Sequence, residues 1–130
     1  MQRRVRCDAE PAKVLLSGED EPLITTIGCG RDVVAIVRLR VSTLDEAITE
    51  VQQSMRTLQS WQLSEVRAAT TYRVDHRNTS GYGKQNYWID QVTKIDGHYY
   101  ICQASGMATS ERDGDPADAE RGAAICKSLE

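Results

Sequence analysis

The residues in this chain that could do chemistry are four cysteines, Cys7, Cys29, Cys102 and Cys126, and two histidines, His76 and His98. The cysteines fall into two groups, one toward each end. None is followed by another two to four residues on, which is the spacing of a zinc site. An even, dispersed set is the pattern of two disulfides, and disulfides place a protein in an oxidising compartment. That pairing also removes the free thiolate that a Cys–His nucleophile needs. His76 lies in a turn-rich stretch and His98 begins a strand, so both are expected at the surface. Asp75 and His76 could act as an acid–base pair, but neighbours on a strand point to opposite faces.

Two further patterns have a chemical reading and a plainer one. Asp113, Asp115 and Asp118 could hold calcium. Arg112 and Pro116 interrupt the spacing, and no Gly-x5-Glu follows. Gly81-Tyr82-Gly83-Lys84 lacks the spacing of a phosphate loop and the helix that must follow it. The residues therefore define no catalytic, cofactor-binding or metal-binding set, and a non-enzymatic protein is expected. One patch invites a partner. Tyr82, Tyr87, Trp88 and Tyr100 cluster around a hairpin, with Arg73 and Arg77 on the neighbouring strand. Tyr, Trp and Arg dominate interface hot spots, so these six are the expected protein-binding residues.

Composition narrows the class. A length of 130 residues suits one domain spanning 1–130. At 27% charged and 40% hydrophobic, the chain is globular rather than disordered. It has no Phe, so the core must come from Val, Ile, Leu, Ala and Met, a supply that cross-links would supplement. A net charge of −3 gives no nucleic-acid footprint. No apolar stretch approaches the 18 or so residues of a transmembrane segment. MQRRVRC has no hydrophobic signal core, so a periplasmic or secreted protein would have lost its signal peptide.

The elements that must position these residues can be read along the chain. Residues 1–10 are polar and expected to be flexible until Cys7 pins them. Val14-Leu15-Leu16 and Leu23–Ile27 read as two strands of a hairpin. Val33–Val41 is the strongest strand, with Val33, Ala35, Val37, Leu39 and Val41 on one face. Thr43-Leu44-Asp45-Glu46 is a capping box. It opens an amphipathic helix over 44–60 whose stripe is Leu44, Ile48, Val51, Met55 and Leu58. Glu65–Asp75 alternates as a half-buried antiparallel strand. His76–Lys84 is turn chemistry, and Gln85–Ile95 is the next strand. Asp96-Gly97 is a two-residue hairpin turn into 98–104. Asp115-Pro116 opens a terminal helix with Asp as cap and Pro in the first turn. The expected fold is α+β, a twisted antiparallel sheet with a central amphipathic helix and a C-terminal helix packed on it. Four cysteines permit three connectivities. Cys102 on a strand and Cys126 on the helix laid over it form the favoured pair, which leaves Cys7 with Cys29.

The hairpin Asp96-Gly97-His98-Tyr99-Tyr100-Ile101, followed by Ser105-Gly106 and the closing Ala124-Ile125-Cys126-Lys127-Ser128-Leu129, resembles the PsbP-like superfamily, which includes DcrB-type bacterial envelope proteins. The resemblance covers about residues 33–129 and is one of element order. It implies a sheet between helices. Family members include photosystem accessory subunits, lipoproteins and secretion-effector chaperones, and no shared catalytic set transfers. A cystatin-like or ferredoxin-like α+β sheet is the alternative. The functional expectation is a disulfide-stabilised binding or accessory protein of the bacterial envelope, of immunity type, holding a protein partner. The alternative is a small-molecule or lipid binder with its pocket between helix 44–60 and the sheet.

Overall fold

Six antiparallel strands form the backbone of the molecule, in a computed structural model that describes residues 2–7, 10–15 and 24–130. In chain order the elements are β1 (Gln2–Cys7), β2 (Glu10–Leu15), β3 (Ile24–Cys29), β4 (Asp32–Arg38), α1 (Leu44–Thr57), β5 (Trp61–Arg67), β6 (Thr71–Thr79), β7 (Gln85–Ile95), β8 (His98–Gly106) and α2 (Pro116–Lys127). The main sheet runs β3-β4-β8-β7-β6-β5, and β1 pairs with β2 in a separate ribbon. The α+β expectation holds, with α1 on one face of the sheet and α2 on the other.

Local chemistry sets the boundaries. The Thr43 hydroxyl accepts the Glu46 N–H at 3.1 Å and starts α1. Asp115 accepts the Ala117 N–H at 2.9 Å and starts α2. Asp96 and Gly97 both take positive φ, +49° and +81°. That is the conformation of a tight hairpin turn, and it sets Ile95 opposite His98.

Alternation along the strands sorts side chains into two cores. Leu44, Ala47, Ile48, Val51 and Met55 of α1 pack on Tyr72, Val74, Val92 and Tyr99. On the opposite face Ile125, Cys126 and Leu129 meet Val34, Ile36, Tyr100, Cys102 and Ala104, with Val5 of β1 completing the layer. Close approach of α2 depends on Gly122. A Cβ there would lie 2.6 Å from the Ala104 Cβ, well inside van der Waals contact. The disulfides Cys7–Cys29 and Cys102–Cys126 are both formed, and no cysteine is free.

Four readings of the sequence are corrected, the first being that His76–Thr79, read as turn, is the end of β6. The run read as one strand over 65–75 is the end of β5, a turn and the start of β6, with Arg67 paired to Tyr72. The Ala68 N–H donates to the Thr71 carbonyl across that turn. Of the hairpin expected between 14–16 and 23–27, residues 16–23 lie outside the described residues, and among the described ones β2 pairs with β1 and β3 with β4. The arginine-rich start, expected to be flexible, is strand β1, with Arg3 and Val5 buried. The Arg3 guanidinium donates to Tyr100 Oη at 3.1 Å and to Asp96 Oδ2 at 2.9 Å. Among the described residues no helix is long and apolar enough to cross a membrane.

Candidate functional site

Sheet parity decides which side chains can meet. His76 sits opposite Trp88, and Asp90 lies two pairs along, opposite Val74. Both therefore point to the α1 face. His76 is fully buried rather than at the surface. Its Nε2 is 2.6 Å from Asp90 Oδ2, and its Nδ1 is 2.8 Å from Ser60 Oγ. Gln103 donates to the other Asp90 oxygen at 2.9 Å, and Trp88 stacks on the imidazole at 5.4 Å. A serine, histidine and aspartate joined in series form the arrangement that activates a hydroxyl for attack. Here the same groups also tie the helix to the sheet. Ser60 Oγ also reaches the Met55 carbonyl at 3.3 Å, and Asn78 donates to the Leu58 carbonyl at 2.7 Å. The end of α1 is thus stitched to β6, while the imidazole lies under the indole.

The other face carries an open site. The helix α2 covers β4, β8 and β7, and leaves the β6–β5 side uncovered. A groove of about 480 Å³ runs between them. Its floor is Thr71, Arg73, Gln91 and Thr93, and its walls are Val66 on one side and Ala123 with Leu129 on the other. Arg73 donates twice to Asp75, at 2.9 and 3.1 Å, and once to Glu120 at 2.6 Å. Hydrogen bonding to Asp75 outweighs burial and raises the guanidinium above its ordinary range. The floor is therefore a fixed charge already neutralised by its neighbours. On the far face of β6, burial and the Glu65 carboxylate, which accepts the Tyr72 hydroxyl at 2.6 Å, hold that phenol well above its ordinary range.

The groove's outer wall is Val66 of β5, the edge strand of the sheet. All seven residues of β5 are exposed. Trp61, Leu63 and Val66 are 43%, 49% and 66% accessible. The Arg77 guanidinium lies 5.1 Å over the Trp61 ring, a cation–π arrangement of the kind found at binding hot spots. Its Nε is buried without a hydrogen-bond partner, as is Gln85 Oε1 on the same face.

The six expected partner-binding residues do not form one surface. Arg73, Arg77 and Tyr87 share the groove face. Trp88 points the other way and is buried against His76, and Tyr100 is fully buried under Arg3. Tyr82 is 70% exposed at the tip of the β6–β7 turn. Sequence reasoning missed Trp61, Leu63 and Val66, because they were not assigned to an edge strand. Also missed was the Ser60–His76–Asp90 chain. Its signal was register, since the turn between β6 and β7 places His76 and Asp90 diagonally across the pair. The interior under α1, where a ligand pocket was expected, is filled by Ile48, Val51, Met55 and Tyr72. The groove lies on the opposite face. Among the described residues no group of three or more His, Cys, Asp or Glu side chains could hold a metal ion.

No family model matches the chain, and no curated protein matches it. Among solved structures, protein PA94 of Pseudomonas aeruginosa, a candidate regulator of unknown function, superimposes with a TM-score of 0.50. The match covers 97% of this chain and 91% of that one at 11% identity. At that identity the likeness shows the fold alone.

Proposed function

We propose that the chain is a non-catalytic binding protein of an oxidising compartment, the periplasm or the outside of the cell, and that it holds a segment of a protein partner in the groove between β5 and α2. One observation carries the reading: an edge strand exposed along its whole length, with apolar side chains, borders an open groove and places Val66 in its wall. Exposed apolar surface bordered by polar groups is what interaction sites look like. Val66 supplies a wall of the groove, and the Trp61–Arg77 pair an anchor farther along the same exposed strand. Two disulfides favour the compartment. The stitching role of Ser60, His76 and Asp90 favours binding over hydrolysis. An immunity or accessory role in the bacterial envelope, and the PsbP-like order of elements, belong to the same proposal.

Selection from a displayed library of extended peptides tests it. Trp61→Ala and Arg77→Ala should each weaken the selected peptides at least tenfold, while Tyr82→Ala leaves them unchanged. Peptides that bind equally well to all three variants would place the site elsewhere. A second reading rests on the groove's size, which falls within the range of small-molecule pockets. A bound amphiphile should then raise the melting temperature, and Val66→Arg should abolish that rise.

A further inference from the structure

The unpaired side of β5 has a definite hydrogen-bonding pattern. The Ala68 N–H points to Thr71 on β6, and hydrogen-bonding direction alternates along a strand. Ser64 and Val66 therefore turn their backbone groups to β6, opposite Asp75 and Arg73. Glu65 and Arg67 turn theirs outward. Upstream, the register shift between Gln62 and Ser64 breaks the regular strand. The usable edge is thus Ser64–Ala68, and its centre is Val66.

The side chains around that centre read acidic, apolar, basic: Glu65, Val66, Arg67. Such a strand is complementary to itself when reversed. We propose that β5 pairs antiparallel with β5 of a second copy of this chain, with Val66 on the two-fold axis. In this register Glu65 faces Arg67 of the other copy, and Arg67 faces its Glu65. Both are outward-pointing positions, so each pair exchanges two backbone hydrogen bonds. Opposite charges directly across an antiparallel pair are favourable, and like charges unfavourable. Parallel self-pairing would set Glu65 beside Glu65. A foreign strand has no built-in reason to match the sequence of charges.

Existing contacts leave room for this. Arg67 holds Asp45 at 2.5 Å with one terminal nitrogen, and its side chain remains more than half exposed. Glu65 takes the Tyr72 hydroxyl on one oxygen and keeps the other. Val66 points to the groove face, so the dimer would run two six-stranded sheets together and set the two grooves side by side across the axis. Glu65 and Arg67 point to the α1 face. Changing them leaves the groove intact, so this inference and the peptide-binding reading can fail separately.

Sedimentation over a rising concentration series tests the pairing, with thermal denaturation checking that each variant folds. Wild type should shift from monomer toward dimer mass. Glu65→Lys and Arg67→Glu should each stay monomeric, because each sets like charges opposite one another. A one-to-one mixture of those two variants should dimerise again, as should the doubly substituted E65K/R67E chain. Val66→Cys should cross-link two copies under oxidising conditions, since facing residues at such a position lie about 4.5 Å apart. A wild type that stays monomeric throughout would overturn the proposal. So would single variants that dimerise as wild type does, because the copies would then meet through another surface.

Discussion

At the scale of single residues, the interior is held as much by polar stitching as by apolar packing. Asp90 lies beneath α1, shared between the His76 ring and the Gln103 amide. Removing one partner of such a buried pair leaves the other desolvated and uncompensated. Asp90→Ala should therefore cost about 3–5 kcal/mol in urea unfolding. A loss below about 1 kcal/mol would mean that His76 finds another partner. Gly122 acts by absence. Gly122→Ala would drive a methyl into Ala104 and should cost about 1–3 kcal/mol, the usual range for overpacking. Adding Ala104→Gly should return part of that loss. Two independent, additive losses would show that the α2–β8 contact is not the cause.

Element by element, caps and cross-links set what is stable on its own. The Thr43 hydroxyl satisfies one of α1's open N–H groups, so Thr43→Ala should cost about 1 kcal/mol, read as a lower urea midpoint. Cys102 and Cys126 close a loop of 24 residues between β8 and α2. Replacing both with Ala should remove about 3 kcal/mol by the chain-entropy estimate. What was legible in the sequence was chemistry with a local cause. The Thr43 and Asp115 caps, the Asp96-Gly97 turn and the favoured pairing of Cys102 with Cys126 each depend on neighbours in sequence or on adjoining elements. What was not legible had distant causes or no marker. Ala68-Ala69-Thr70-Thr71 turns the chain without Gly, Pro, Asn or Asp, while the apolar–polar alternation continues through it, so β5 and β6 read as one strand. Arg3 is buried because Tyr100 and Asp96, more than ninety residues later, receive its guanidinium. Nothing in MQRRVRC announces that. The groove was hidden for the same reason, since its outer wall exists only once that unmarked turn is known.

The whole molecule has two cross-links and a ring-like closure. Intact, unreduced protein should show no free thiol after denaturation, whereas two or four thiols would break the argument for an oxidising compartment. The closure is made by backbone. The Arg4 N–H donates to the Glu130 carbonyl at 2.8 Å, and the Glu130 N–H donates back to Arg4 at 2.9 Å. The Arg6 N–H adds a bond to Ser128 Oγ at 2.6 Å. This arrangement orders events during synthesis. The meander from β5 to β8 needs only its own neighbours and can assemble as it emerges from the ribosome or the translocation channel. Strand β1 is made before any of it, yet its berth beside the end of α2 does not exist until residue 130 has been added. Cys7 and Cys29 both emerge early, so they can be oxidised while that berth is still missing. Strand β1 is made before the elements that seat it, and it waits on a tether.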